Sequence, residues 1–413
     1  MTSSDGERRD TVDILEGVRV LDLGMVWAGS ICGQVLSDFG ADVVKIESRS
    51  NLDIARRGRP IIGTEYDPNQ NPLFHNTARN KRSLALDLKT EQGRDVLRRI
   101  VPHADILIEN WRPGALPRLG FGYEELRKLR PDIIMISQTL AGQDGIDARL
   151  RAYGPTVGGI TGLDSLVGYQ GEAPLGMGHA YADPNVGLHS ALLALSALER
   201  RRLTGEGAYI DVSMWEAMVA ALATPLLDCE LNGRVAGPLG DDAVPGAPAG
   251  VFACAGDDHW LVLEVHDDAD WAGIVEAMEH PDWASDERFA SAGGRLAARE
   301  ELNEHVRAWT ASRDRDELAE LLQGHGVIAS PCLAVSERLF DDHLLAREGF
   351  TWVENPVLGR EPVYGQAIRL SETPGYVREP APMLGQHSAE VLRELLDMSD
   401  EEIEALDEAG VLR

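Results

Sequence analysis

The chain has 413 residues, enough for two domains, and its formal net charge of −29 makes it strongly acidic. This charge argues against nucleic acid as a partner, because phosphates require basic patches, and it disfavours an anionic membrane surface. Any anionic ligand must then be held by a local cluster of Arg and Lys side chains.

The N-terminal sequence MTSSDGERRDTVD lacks the apolar core of a signal peptide, and no apolar run is long enough to cross a bilayer. The four cysteines (Cys32, Cys229, Cys254 and Cys332) are far apart and form no CxxC pair. They favour neither a disulfide framework nor a zinc site. We therefore expect a cytoplasmic protein without a metal site.

The first 140 residues alternate between apolar runs and helical patterns. Strands are predicted for VRVLDL (18–23), ADVVKIE (41–47), DILIE (105–109) and DIIMIS (132–137), with helices in AGSICGQVLSDFG, near 91–101 and around YEELRKL. Repeated strand–helix–strand units produce a parallel sheet. The pattern predicts an α/β fold with a doubly wound, Rossmann-like large domain, whose ligands would bind beyond the carboxyl ends of the strands.

A smaller α/β domain is predicted in the second half of the chain. A helix over 187–201, the strand AYIDVSM and the helical run WEAMVAALATPLL precede a Gly/Pro-rich linker or lid at 232–250. A hairpin in GVFACAGDDHWLVLEV and helices to about 325 follow. We expect the large domain to comprise 1–225 and a C-terminal return segment, 331–413, with the small domain and its linkers at 226–330.

Basic residues cluster where the predicted strands end. They are Arg79, Lys81 and Arg82 in ARNKRS, Lys89 in LDLK, Arg112 and Arg118 around PGALPR, and Arg149 and Arg151 before Tyr153. Any one of them could be a solvated surface charge, but their recurrence at strand ends favours a multiply anionic ligand.

Two common enzyme classes lack their signatures. Glu47 ends the second strand, where a dehydrogenase would bind ribose, but the first turn reads LGMVWAGSICG rather than GxGxxG. The sequence contains neither a GxSxG elbow of hydrolases nor an HExxH helix of metalloproteases.

The stretch GHAYADPNVG (178–187) contains Asp183, followed by Pro184 and a predicted helix. Asp at the N-cap with Pro at the first helical position is a strong helix-start signal. The same carboxylate could instead be the reacting group, and the first-turn amides would favour its ionised form.

Several motifs in this order resemble the class III CoA-transferases, the CaiB/BaiF family. They are LEGVRVLDLG, LSDFGADVVKIE, NKRSLALDLKTEQG, ADILIENWRPGALPRLGF, ADPNVG, RRLTGEGAYIDVSMWEA and APMLGQHSAEVL. The resemblance extends from about residue 15 to the C-terminus. It implies an interlocked homodimer, with acyl-CoA and a small carboxylic acid as substrates and no tightly bound cofactor.

The resemblance implies that Asp183 attacks the acyl-CoA thioester, forming an aspartyl–acyl anhydride and then an aspartyl-CoA thioester that the acceptor carboxylate resolves. It also implies CoA contacts at Trp27, Ala28, Arg49, Leu86, Asp87, Leu88, Lys89, Asn110, Trp111, Arg112, Arg118, Arg151 and Tyr153.

The sequence departs from formyl-CoA:oxalate transferases at several positions. Trp27 stands where those transferases have a glutamine. Ser48 stands directly after KIE, where they usually have a basic residue, and Arg49 comes next. Their tetraglycine lid is missing, and GPLGDDAVPG is the nearest segment. These departures favour a bulkier acyl group.

Further activities of this fold remain open. The α-methylacyl-CoA racemases pair the aspartate with a histidine in a GHD motif, whereas Tyr153 and Gly154 stand in the matching stretch here. The sequence is also compatible with intramolecular CoA transfer, as in 2-methylfumaryl-CoA isomerases, and with a non-catalytic acyl-CoA binder.

Overall fold

A computed structural model describes residues 13–57, 60–63, 65–243 and 245–413. Within them the chain divides into two compact units. One contains the residues up to Leu163, Met177–Gly233 and Leu345–Arg413, and the other contains Asp164–Gly176 and Arg234–Leu344. In the structure the chain passes from the larger to the smaller unit at 233/234 and returns at 344/345. The sequence-based boundaries at 225/226 and 330/331 fall 8 and 14 residues before these points.

The larger unit is built on a six-stranded parallel sheet in the order β3-β2-β1-β4-β5-β6. Its strands are β1 (Arg19–Asp22), β2 (Asp42–Glu47), β3 (Lys81–Ala85), β4 (Ile106–Glu109), β5 (Ile134–Thr139) and β6 (Ala208–Ser213). This order reverses direction between β1 and β4, as in doubly wound nucleotide-binding folds. The predicted Rossmann-like sheet is confirmed, with β3 as a strand that the sequence pattern did not predict.

Helices cover both faces of this sheet. The helices of the larger unit that precede the smaller unit's sheet are α1 (Ala28–Asp38), α2 (Pro72–Ala78), α3 (Glu91–Ile100), α4 (Ala115–Arg118), α5 (Tyr123–Leu129), α6 (Gly154–Thr161), α7 (Ala182–Thr204), α8 (Met214–Ala220) and α9 (Ala223–Asn232). On one face α1 and α7 pack on the strands. On the other, the core contains residues of α3 and α5 together with the C-terminal helices α15 (Ser388–Leu396) and α16 (Asp400–Glu408). The C-terminal segment therefore completes the larger unit's core.

The smaller unit has an antiparallel sheet, β7 (Ala249–Ala253), β8 (Trp260–Glu264) and β9 (Ile328–Cys332), in that order. Its helices are α10 (Asp268–Ala277), α11 (Ala292–Ala297), α12 (Arg299–Thr310) and α13 (Arg315–Gly324). The chain returns to the larger unit within α14 (Asp342–Ala346). The predicted β7–β8 hairpin is confirmed. A further hairpin in the larger unit, β10 (Phe350–Asn355) and β11 (Gly359–Tyr364), was not predicted.

Candidate active site

A cavity of about 170 Å³ lies at the carboxyl ends of β1 to β4 in the larger unit. The turns that follow these strands form its wall, as expected for a doubly wound sheet. It is lined by Leu23, Met25, Lys45, Ile46, Glu47, Ser48, Asn51, Asp53, Leu86, Asp87, Leu88, Lys89, Trp111 and Leu119. Five predicted contacts, the Leu86–Lys89 run and Trp111, therefore share one cavity.

Five basic side chains predicted to contact CoA are exposed: Arg49, Lys89, Arg112, Arg118 and Arg151. None of them forms an ion pair with a residue that the structure describes. In a chain with a net charge of −29, unpaired cations beside the sheet's ligand-binding edge are suited to phosphate groups.

The neighbouring basic cluster in ARNKRS has a different role. Arg79 Nη2 lies 2.7 Å from Asp38 Oδ2, and Lys81 Nζ lies 2.7 Å from Asp22 Oδ2, both pairs being fully buried. Arg82 pairs with Asp42 at 2.6 Å. The prediction that these three residues face an anionic ligand is wrong. They lie around the start of β3 and pair with carboxylates of the protein itself, which are buried for Arg79 and Lys81 and partly exposed for Arg82.

Asp183 is the second residue of α7 and is only 8% exposed. The backbone N–H groups of Ala28 and of Asp183 itself, and the charge of His179, favour its ionised form. Burial nevertheless dominates and raises the pKa of Asp183 to about 6, because a desolvated carboxylate is harder to ionise.

Asp183 does not cap α7. The helix begins at Ala182, Tyr181 occupies the N-cap position without a side-chain cap, and Pro184 falls third in the helix. The N-cap prediction is wrong because the helix starts two residues earlier than the Asp-Pro pair suggests. Proline is tolerated there, since first-turn N–H groups need no intrahelical acceptor.

Glycines make room for the Asp183 carboxylate. A Cβ on Gly154, the first residue of α6, would lie 2.1 Å from Asp183 Oδ2. A Cβ on Gly187 would lie 2.7 Å from Ile31 Cγ2, so α7 approaches α1 closely enough for Ala28 to reach the carboxylate. A side chain at Gly154 would displace the acid, and one at Gly187 would push α7 away from α1.

The predicted contacts Trp27 and Tyr153 each precede a residue beside Asp183. The Trp27 ring lies 5.2 Å from the His179 ring, centroid to centroid. Tyr153, which precedes Gly154, is 64% exposed. The side chains of Trp27, Tyr153 and His179 therefore lie close in the chain to residues that surround Asp183.

The chain from Gly24 to Ala28 joins the cavity to Asp183, because Met25 lines the cavity and Ala28 binds the acid. Asn110, predicted as a CoA contact, bonds this chain: its Oδ1 accepts the Met25 N–H at 2.7 Å and its Nδ2 donates to the Met25 carbonyl at 2.8 Å. The Trp111 indole donates to the Leu23 carbonyl at 2.9 Å.

The family model of CoA-transferase family III matches residues 15–388. The chain belongs to this family. It is therefore an enzyme of the transferase class, as the motif series predicted.

Two relatives of known name match this transferase over nearly their whole length. It is 33% identical to succinyl-CoA–D-citramalate CoA-transferase of Chloroflexus aurantiacus, over 96% of this chain and 98% of the relative. It is also 33% identical to succinyl-CoA:mesaconate CoA-transferase of Haloarcula hispanica, over 92% and 96%. A solved CaiB/BaiF family structure from Brucella suis superposes with a TM-score of 0.85 at 31% identity, covering 92% of this chain and 99% of that one.

Sequence reasoning missed several residues of the transferase's cavity and of the surroundings of its acid. Gly154 was noted only as a departure from a racemase motif, and Asp53 and His179 were not singled out. The signal available for His179 was its place four residues before Asp183. Within the described parts of the chain, no helix is long and apolar enough to cross a membrane. Nor do three or more His, Cys, Asp or Glu side chains in those parts group to hold a metal ion.

Proposed function

We propose that this transferase moves CoA from an acyl-CoA to a carboxylic acid through covalent intermediates on Asp183. The supporting observation is the carboxylate itself. It is buried, two backbone N–H groups favour its ionised form, and one of them belongs to Ala28, at the end of the chain segment that begins in the cavity. A pKa near 6 leaves most of it ionised at neutral pH and makes it more basic, hence more nucleophilic, than an ordinary aspartate.

In the proposed reaction, a carboxylate oxygen of Asp183 attacks the thioester carbonyl and expels CoA thiolate, leaving an aspartyl–acyl anhydride. The thiolate then attacks the aspartyl carbonyl and releases the donor's acid, leaving an aspartyl-CoA thioester. The acceptor carboxylate attacks this thioester to form a second anhydride and free thiolate. Attack of the thiolate on the acceptor's acyl carbon releases the new acyl-CoA and regenerates Asp183.

The cavity and the exposed cations support one orientation of CoA. The nucleotide would lie against Leu86, Asp87 and Leu88, with its phosphates near the unpaired basic groups. The pantetheine arm would follow the Gly24–Ala28 segment toward Asp183. In this arrangement Trp27 and Tyr153 would contact the acyl end.

The relatives indicate a substrate class. Succinyl-CoA is named as the donor in both, and D-citramalate and mesaconate, the named acceptors, are dicarboxylic acids. We therefore assign succinyl-CoA as the donor and a dicarboxylic acid as the acceptor of this enzyme.

Exposed leucines support the proposed homodimer. Leu188, Leu192 and Leu195 recur at helical spacing along the exposed side of α7, and Leu192 is 63% exposed. Leu227 and Leu231 form a similar pair on α9 and are 57% and 76% exposed. Leucines at such spacing favour a second apolar surface, which another copy of the chain would supply.

The function is tested by trapping the covalent intermediate. Incubation with succinyl-CoA without acceptor is expected to acylate the peptide containing Asp183, and hydroxylamine should convert the adduct to a hydroxamate. Succinyl-CoA with a dicarboxylate panel should yield a new acyl-CoA by mass spectrometry. Turnover without any adduct on that peptide would contradict the mechanism, and epimerisation of a 2-methylacyl-CoA would favour racemase activity instead.

A further inference from the structure

The segment between β1 and α1 adopts an unfavourable backbone conformation. Val26 has a φ of +59°, in the left-handed region that β-branched residues avoid. Gly24 and Gly29 meet so closely that a Cβ on Gly29 would lie 2.5 Å from Gly24 Cα. Such a conformation persists only when surrounding groups hold it in place.

Side chains from two other parts of the sheet hold this segment. Asn110, directly after β4, makes the two bonds to Met25 described above. Asp53, which is 1% exposed, accepts the Val26 N–H through Oδ1 at 2.8 Å. The buried Lys45 ammonium donates to the Gly24 carbonyl and lies 3.4 Å from Asp53 Oδ2. Consecutive peptides from Gly24 to Val26 are therefore fixed by buried or half-buried polar groups.

The position of this segment determines where the Ala28 N–H points. Ala28 lies against the first turns of α7, since a Cβ on Gly187 would come within 3.4 Å of the Ala28 carbonyl oxygen, and its N–H favours the ionised form of the Asp183 carboxylate. The start of α7 is flanked by α1, α6, α8 and the turn that precedes it. Among described residues, His179 in that turn is the titratable side chain whose charge acts on it, while α1 contributes the Ala28 N–H and α6 contributes Gly154.

We propose that Asn110 is a positioning residue for the Asp183 nucleophile, acting through the Met25 peptide on the Ala28 N–H, in addition to any contact with CoA. The proposal rests on the proposed nucleophilic role of Asp183. Without the Asn110 amide, the strained Val26 conformation would relax, and the Ala28 N–H would turn away from the carboxylate.

The test is Asn110→Ala in the full-length enzyme. Single-turnover acylation by saturating succinyl-CoA is expected to slow by at least about tenfold, as misplacing a catalytic group typically does. The pH midpoint of this rate should rise, because the carboxylate loses a hydrogen bond that favours its charge. The Kd for CoA should change much less. Asn110→Ser retains a hydroxyl acceptor, so its acylation rate and pH midpoint should lie between those of wild type and Asn110→Ala. If the alanine variant fails to fold, the same measurements on Asn110→Ser decide the test.

Rescue separates positioning from a ligand contact. Adding Val26→Gly to Asn110→Ala removes the penalty of the positive φ, and should restore part of the acylation rate and lower the pH midpoint again. A weaker Kd with an unchanged midpoint would overturn the proposal and leave Asn110 as a CoA contact only. An unchanged rate would also overturn it.

Failure of this proposal differs from failure of the proposed function. If wild-type enzyme forms the Asp183 adduct while Asn110→Ala keeps the wild-type midpoint, only the positioning role is refuted. If the wild type transfers CoA with no adduct on Asp183, the proposed function itself is refuted.

Discussion

Replacing Asp183 with asparagine separates its chemical role from its structural cost. The amide has almost the same shape and its oxygen can accept the Ala28 N–H, but it can neither ionise nor form an anhydride. Asp183→Asn should therefore reduce CoA transfer to background and should retain acyl-CoA binding. Because burial raises the pKa of Asp183, the variant should also be more stable than wild type at neutral pH.

The gain in stability follows from the pKa difference between folded and unfolded chains. An aspartate with a pKa of 3.8 unfolded and about 6 folded costs the fold roughly 3 kcal/mol once fully ionised, at about 1.36 kcal/mol per pH unit. The folded pKa is the higher one, so the cost is absent below about pH 4, grows as pH rises and is complete above about pH 7. At pH 5 the penalty is about half of its full value.

The assay is chemical denaturation of both proteins at pH 5 and pH 8, alongside CoA-transfer rates. Asp183→Asn should exceed wild type by roughly 3 kcal/mol at pH 8 and by about half as much at pH 5. The wild-type transfer rate should rise with pH through a midpoint near 6, since only the carboxylate attacks. The exposed Asp144 provides a matched control, because Asp144→Asn should alter neither stability nor rate.

Two results would refute this reasoning. A pH-independent stability difference would mean that burial does not control ionisation at this site. Near wild-type turnover by Asp183→Asn would remove Asp183 as the nucleophile.

Three further predictions concern the surroundings of the acid, the CoA site and the assembly. Gly154→Ala should cut transfer by about 100-fold or more, because its Cβ would occupy the carboxylate's position, whereas Gly293→Ala, with nothing within 4 Å of the added Cβ, should not affect kcat. Arg118→Ala should raise the KM for acyl-CoA more than it lowers kcat, and an unchanged KM would exclude a phosphate contact there. Native mass spectrometry should show a dimer that dilution does not split, and Leu192→Glu should disrupt it; a wild-type monomer at micromolar concentration would contradict the assembly.

The sequence by itself determined the parallel sheet, and it predicted Asp183 as the reacting group. The strands β1, β2, β4 and β5 are short apolar runs separated by helical patterns, and this local periodicity is sufficient to recognise βαβ units. The ordered series of motifs is sufficient to identify the family. The strand β3 was missed because it begins with two charged residues, Lys81 and Arg82. In the fold these residues pair with carboxylates that lie far away in sequence.

Only the tertiary structure decided what each polar group does. Lys81 and Lys89 look alike in sequence, yet one is buried against Asp22 and the other is exposed beside the cavity. Ala28 has no polar side chain, and it is the close approach of α1 and α7 that lets its backbone N–H favour the ionised form of Asp183. Burial and long-range pairing set these roles, and both depend on residues brought together by the fold rather than on neighbours in the chain.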